Sequence, residues 1–506
     1  MMNKYLSLIE SLEQGNVESS NSEVKVYPKS YAKHGNVRLL MVKDGTEKYI
    51  LATGSGTLYD ELTGENIENK GKICPLSHEN RLVLNRYFEY TVPKAFGTKV
   101  ATIGLGDRLG LASPGHIKTI KNRNIKPILA QQSIRELTLT NRTMTDMLDA
   151  AAFAVFQEGY KGGYGADGDH IKKESDIEYA LSLGVSMMTL DCSDQIDNEF
   201  EQASVETVRE AYDRLPQDVK THYDNRYLNK SYDVNGLSLT FDEESLMRNV
   251  LLYNEAIAYT EKVYHQYISK QERDIDFEIS IDETETVTSP ISHFFVANEL
   301  IQRDVNVVSL APRFCGEFQK GIDYIGNIEQ FEKELNEHAA IADYFGYKLS
   351  IHSGSDKFKV FPIIAKHTKG IFHVKTAGTN WLEAIRVIAK INPSLYRRMH
   401  HFALENFQET LKYYHVTPDL NSIKPLDSVT DDELPEYMDD DNARQLFHVT
   451  YGLILTDKDE NGNYTFKDEF FKTLHDHEEE YTAALIKHIG KHLDLLDVNE
   501  LKFHEN

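Results

Sequence analysis

The 506-residue sequence predicts an α/β fold built on a closed (β/α)8 barrel, and three observations predict it. From about residue 97 to 395, short β-branched or apolar runs alternate with longer helical patterns, which implies a parallel sheet. Eight such units occur, the number that closes a TIM-type barrel. Nearly every strand run ends in polar or charged residues, and in a barrel those ends share one face, where active sites sit. An open doubly wound sheet is the competing architecture.

Taken in order, residues 1–96 read as an N-terminal α+β extension. It has a helix at Leu6–Leu12, strands at Val24–Val26, Val37–Val42 and Tyr49–Ala52, and a turn at Thr53–Gly56. The barrel, residues 97–395, begins with Val100–Ile103, which leads into Gly104-Leu-Gly-Asp-Arg108, and continues with Pro127–Ala130, which leads into Gln131-Gln-Ser133. A glycine-rich segment around Gly163 is a weak third strand by propensity. Val185–Leu190 ends in Asp191, Asp276–Ile281 in Asp282-Glu-Thr-Glu285, and Val305–Leu310 in Ala311-Pro-Arg313. Lys348–Ile351 ends in His352-Ser-Gly-Ser-Asp356, and Ile371–Val374 in Lys375-Thr-Ala-Gly378. A helical insertion of about residues 194–273 follows the fourth strand, and a lid or a homo-oligomer contact are the two uses it suggests. Residues 396–506 read as a mostly helical C-terminal extension. Phe402–Tyr414 and Phe470–Leu495 are its helices, Ser428–Asp441 is an exposed acidic connection, and Val449–Thr456 is more strand than helix.

The chain carries a formal net charge of -25. That argues against nucleic acid or an anionic membrane as partner, since both require Lys/Arg patches. It still allows a small anionic substrate at a locally basic site. No apolar run is long enough to span a bilayer, and Met1–Tyr5 has no signal-peptide core. Cys74, Cys192 and Cys315 form no CxxC pair. A cytoplasmic protein with free thiols is the expectation.

Gly163–Ile171, Gly-Tyr-Gly-Ala-Asp-Gly-Asp-His-Ile, holds the densest chemistry. It reads as a glycine-rich turn carrying Asp167, Asp169 and His170 before a helix near Ser175, and its bland reading is a helix cap. An adjacent carboxylate and imidazole offer a base beside a metal ligand. His352, at a strand end, is the second anchor. With Asp169, His170, Glu283 and Glu317 it would make a mixed N/O site suited to Zn, Mn, Ni or Co. Arg313, Lys357 and Lys375 fall on the same face as anion partners, and Lys375 has Schiff-base formation as its alternative. Gly104-Leu-Gly106-Asp-Arg-Leu-Gly110 misses the dinucleotide spacing by one residue and reads better as a first βα loop, with its amides and Arg108 at the barrel mouth. Asp457–Gly462 with Asp468 approaches a calcium loop, with an ordinary turn as the plainer reading. His488 and His492, four residues apart, read as a solvated helix face.

Ile103–Ile117, Gly163–Ile171 and Ile351–Phe358 resemble the tagaturonate epimerase family of hexuronate catabolism, from roughly residue 97 to the C-terminus. The resemblance implies a divalent-metal isomerase interconverting D-tagaturonate and D-fructuronate, with related enzymes also acting, weakly or after engineering, on fructose and tagatose. These keto-acids differ at a carbon β to the ketone, whose hydrogen is not acidic, so enolisation alone cannot invert it. Retro-aldol cleavage and re-addition can, given a Lewis acid, a base and an acid. Nicotinamide oxidation is the other route, and the chain shows no fingerprint for it. On this reading His170, His352 and Glu317 hold the metal, Asp169 accepts the proton and Glu283 donates it. Lys375, Arg313 or Lys357 pairs the substrate carboxylate, Ser133 and Thr189 contact hydroxyls, and Asp167 stays a helix-side or turn residue. A metal-dependent sugar isomerase or aldolase on the same barrel is the alternative, and a non-catalytic sugar-acid binder the distant one.

Overall fold

The structure, a computed structural model, describes residues 3–17, 23–282, 286–376 and 378–499. Eight parallel strands close a barrel: β1 (Thr102–Leu105), β2 (Lys126–Ser133), β3 (Gly165–Ile171), β4 (Met187–Asp191), β5 (Asp276–Ser280), β6 (Ser309–Ala311), β7 (Lys348–Ile351) and β8 (Phe372–Thr376). Each pairs with its neighbour in sequence, and β8 returns to β1 through Lys375↔Gly104 and Thr376↔Leu105. Both faces of these strands are covered, by helices outside and packed side chains inside, so they read as short runs buried on both sides.

The glycine-rich segment, read both as a weak third strand and as a turn, is β3 itself. Its glycines answer to packing: a Cβ on Gly165 would lie 2.4 Å from Ile128 Cδ1. Because strand side chains alternate, Asp167 and Asp169 share a face, and both point into the barrel. Asp167 is therefore an interior residue of the strand and not of a turn. Gly104 has a related purpose: its Cβ would fall 2.1 Å from Gln131 Oε1. The first βα loop does not leave its amides to a ligand, as the sequence suggested. The Asp107 carboxylate accepts from the backbone N–H of Leu109, Gly110, Ala112 and Ser113, and Arg108 is buried against Glu136 at 2.6 Å.

An antiparallel sheet with spatial order 24–34, 37–44, 47–53, 71–75, 65–67 precedes the barrel. The helix Asn3–Glu13 covers one face, and His78–Tyr87 with Met144–Glu158 covers the other. The insertion holds helices Val205–Asp213, Gln217–Tyr227 and Glu243–Val263 and a hairpin, Lys230–Val234 with Leu237–Phe241, that helical patterning missed. It lies against the barrel flank, where Tyr227 donates to Glu299 at 2.7 Å and packs at a tilt against Phe295, with ring centroids 5.1 Å apart.

The C-terminal helices pack around Trp381, whose Nε1 donates to Phe447 O at 2.8 Å. Val449–Thr456, read as strand-like, belongs to the helix Asp441–Thr456, because apolar packing against Trp381 and Tyr396 outweighs β-branched propensity. Asp431–Asp439 is a 3-10 helix that buries Leu434, Tyr437 and Met438, not an exposed connection. The Asp457–Gly462 segment is a turn in which Asp459 accepts from the amides of Asn461 and Asn463. Among the described residues no helix is long and apolar enough to cross a membrane.

Glu478 ties the final helix to the N-terminal sheet through Lys48 at 2.6 Å and Tyr27 at 2.7 Å. Burial works against its ionisation, but Lys48 and these hydrogen bonds win and lower its pKa to about 2. A depressed carboxylate stabilises the fold above its unfolded pKa and loses that contribution as pH falls through the folded value. Glu478→Gln should therefore cost roughly 3 kcal/mol at pH 7. Its melting temperature should converge on that of the parent between pH 4.5 and 2, read by thermal melts across that range. A constant gap would show that the contact acts through packing alone.

Candidate active site

The C-terminal ends of the barrel strands surround a cavity of 240 Å³. Gln131 and Ser133 from β2, Asp169 and His170 from β3, Asp191 from β4, Asp282 after β5, His352 after β7 and Lys375 from β8 line it. A second lobe of 270 Å³ adjoins it and shares Asp282, Lys320 and His352.

Lys375 is the electrostatic centre. Its Nζ donates to Asp167 Oδ2 at 2.9 Å and Asp169 Oδ1 at 2.7 Å, lies 2.9 Å from Glu278 Oε1, and also bonds Thr189. Burial disfavours its charge, yet three carboxylates outweigh that and raise its pKa well above the ordinary value. A permanently charged ammonium is neither a Schiff-base nucleophile nor open to a substrate carboxylate. The acids respond individually. Burial and the charges of Asp169 and Glu278 push Asp167 up to about 6 against the pull of Lys375. Asp169, also penalised by burial, is nonetheless held below the usual carboxylate range by Lys375 and His170.

Two histidines face each other above this layer, with ring centroids 4.9 Å apart. His352 sits between Glu278 (2.8 Å from Nε2) and Asp282 (3.1 Å from Nδ1). Burial opposes its protonation, but these two carboxylates push its pKa up to about 10. Among the described residues the buried His170 Nδ1 makes no hydrogen bond, and it lies 3.6 Å from Asp191 Oδ2. His170 and Ser353 have positive φ, 51° and 50°, backbone strain of the kind that gathers at functional sites.

The structure thus brings together His170, His352, Asp169, Lys375 and Ser133, the last also capping the helix Ile134–Leu139. Other sequence-derived candidates fall elsewhere. Thr189 lies one layer below the cavity floor, where its hydroxyl donates to Asp167 Oδ2 at 2.9 Å, because it precedes the cavity-lining Asp191 by two residues on β4. Lys357 borders the cavity, but its Nζ donates to the carbonyls of Gln319, Ile322 and Ser355, which use all three N–H groups and leave none for a carboxylate. Arg313 and Glu317 line the second lobe, and exposed Glu317 pairs by backbone with Ile325 instead of joining His170. Glu283 lies outside the described residues.

Asp191, Asp282 and Glu278 were missed as site residues although each stands on or beside a strand run the sequence revealed. His448 and Lys320 also line the cavity, and no local motif marked them. His488 and His492 are not a solvated face. Both turn toward Asp356, which lies 2.6 Å from His488 Nε2 and 2.7 Å from Arg444. This cluster does not suit a metal. His492 Nε2 accepts from the Asp356 amide and Nδ1 donates to His488 O, so both ring nitrogens are occupied.

The family model described as tagaturonate epimerase matches residues 27–496. A tagaturonate/fructuronate epimerase of Thermotoga maritima is 42% identical over 479 residues, covering 94% of this chain and 97% of that protein. The native and single-glycerol crystal structures of a fructuronate-tagaturonate epimerase from Cohnella laeviribosi each align at TM-score 0.94 with 59% identity, over 98% of this chain and 100% of theirs.

Proposed function

We propose a mechanism from one premise: the chain belongs to the tagaturonate epimerase family and is an epimerase, an isomerase-class enzyme. Its reaction is the interconversion of D-tagaturonate and D-fructuronate, and the observation that carries the mechanism is the Asp169 carboxylate on the cavity floor, held 2.7 Å from Lys375 Nζ.

With carbons numbered from the hydroxymethyl end, the ketone is C2, the inverted carbon C4 and the carboxylate C6. Asp169 accepts the C4 hydroxyl proton. The C3–C4 bond breaks, its electron pair moves to C3 and the C2 oxygen as an enediolate, and C4 becomes an aldehyde. The fragments are the dihydroxyacetone enediolate and tartronate semialdehyde. The aldehyde turns over, C3 re-adds to its other face, and the proton returns to the new C4 oxygen. The C4–H bond is never broken. Lys375 supplies fixed positive charge beside this exchange, and Ser133 contacts a substrate hydroxyl.

The donor classes around the cavity, imidazole and carboxylate, are those a divalent cation takes. His170 Nδ1 makes no hydrogen bond among the described residues and lies 3.6 Å from Asp191 Oδ2. His170, Asp191 and Asp282 would hold Zn, Mn, Ni or Co, joined by His352 once one of its ring nitrogens gives up its carboxylate, and the ion when bound would supply Lewis acidity at the ketone oxygen.

The test uses chelator-stripped protein, D-tagaturonate, and single divalent ions added back in D₂O. Formation of D-fructuronate only with certain ions, with no deuterium at C4, is expected. Deuterium at C4 would exclude the retro-aldol route, and conversion of fructose to tagatose without uronate conversion would move the substrate to neutral ketoses.

A further inference from the structure

The cavity is electrostatically two-sided. Asp169, Asp191 and Asp282 crowd the side of β3, β4 and β5. The opposite wall is built by the C-terminal helix Asp441–Thr456, which reaches over the end of β8. Arg444 Nε donates to Gly321 O at 2.7 Å, and Gln445 Nε2 donates to Gln319 Oε1 at 2.9 Å. These bonds fix the segment that carries Lys320, whose Nζ donates to Ser353 Oγ at 2.8 Å and which lines the cavity.

One helical turn after Arg444, His448 enters a slot made by two glycines. A Cβ on Gly378 would lie 2.1 Å from His448 Cε1, and one on Gly321 would lie 3.3 Å from His448 Nδ1. The Arg108 guanidinium, which can only donate, stands 3.3 Å from His448 Nε2. Nε2 therefore accepts, and the ring proton resides on Nδ1. Burial, together with Arg108 and Lys320, keeps the ring neutral by holding its pKa well below the ordinary value. That leaves a buried N–H donor with no partner among the described residues, on a residue that lines the cavity. Buried donors are nearly always satisfied, so this one is fitted to an acceptor that the described residues do not supply.

We propose that Lys320 and the Nδ1–H of His448 form the subsite for the substrate carboxylate. This rests on the epimerase reading above and deepens it. Lys320 and the His448 N–H give this wall a cation beside a fixed donor, where Asp169, Asp191 and Asp282 line the other, so a molecule with one anionic end is received here by that end. The chemistry adds a second reason. After C3–C4 cleavage the carboxylate stays with the aldehyde fragment, which must rotate without leaving, and a cation with a fixed donor at C6 tethers it while C4 turns.

The test compares full-length K320M, H448A and H448N with the parent in the presence of the activating ion. K320M and H448A should each raise KM for D-tagaturonate about 10- to 100-fold with a much smaller change in kcat. H448N should recover most of the loss, because its amide N–H donates from nearly the Nδ1 position. Calorimetric binding of D-fructuronate should weaken in parallel, while binding of neutral D-tagatose should not change. A KM within about twofold of the parent in both variants overturns the subsite, as does equal weakening for D-tagatose. If the parent fails to convert D-tagaturonate, the functional reading falls separately. The D-fructuronate affinities then decide the subsite, and unchanged or absent binding overturns it.

Discussion

Lys375→Met should lower kcat by roughly 1,000-fold and destabilise the fold by about 3–5 kcal/mol, the largest combined effect of any single substitution in this site. Methionine nearly preserves the volume, so the loss is electrostatic. Lys375 is 4% exposed and is bound to Asp167, Asp169 and Glu278, each exposed by 5% or less. Without the ammonium, three buried carboxylates face one another, and breaking a buried pair from one side costs far more than the pair contributes. The variant should relieve the repulsion by taking up protons, so its stability deficit should shrink toward acid pH. Denaturant unfolding at pH 7 and pH 5, alongside turnover, measures both. Adding Asp167→Asn should restore part of the stability, because Asp167 lies beneath the cavity floor. It should not restore turnover, because Asp169 would still lack its aligned cation. Parent-like stability of Lys375→Met would mean that the carboxylates are not held ionised by this residue. Lys375→Arg is no substitute, since a planar fork does not fit a point charge surrounded by four oxygens.

The barrel was legible because its signals are local: each short apolar run, and the polar residue that ends it, can be recognised within ten residues. His170, His352 and Lys375 were placed on the right face by that reasoning alone. The strands also carried Asp191 and Asp282, but a carboxylate at a strand end is ordinary until its neighbours across the barrel are known. Side-chain surroundings were not legible. Lys320, after β6, and Lys357, after β7, both border the cavity, yet Lys357 is enclosed by three carbonyls whereas Lys320 donates to the Ser353 hydroxyl. Asp167 was misplaced because glycine content suggested a turn, whereas the glycines serve close packing within β3. His448 was invisible for a different reason. It comes from a helix with β-branched residues, some 70 positions after the last strand, and reaches the site only through the packing around Trp381.

Asp169→Asn and His352→Ala should separate two failures that a loss of activity alone would merge. Asparagine keeps the shape of Asp169 and an oxygen for Lys375 Nζ, while Asp167 and Glu278 continue to neutralise that ammonium. The fold and any bound metal should therefore survive, and only the proton acceptor is lost, which lowers kcat by about 10²–10⁴-fold. His352→Ala removes a ring that sits between Glu278 and Asp282 and faces His170. That variant should lose metal affinity first, and excess metal should restore part of its turnover. Metal content after dialysis, measured with kcat at saturating and limiting metal, distinguishes them. Near-normal turnover in Asp169→Asn would move the base to Asp191 or Asp282, the other carboxylates lining the cavity. Full metal occupancy in His352→Ala would instead assign its imidazole to proton transfer, a role that its two carboxylate partners and its raised pKa already allow. The two outcomes are read independently because the residues have different settings: Asp169 accepts directly from Lys375 Nζ, whereas His352 lies between Glu278 and Asp282.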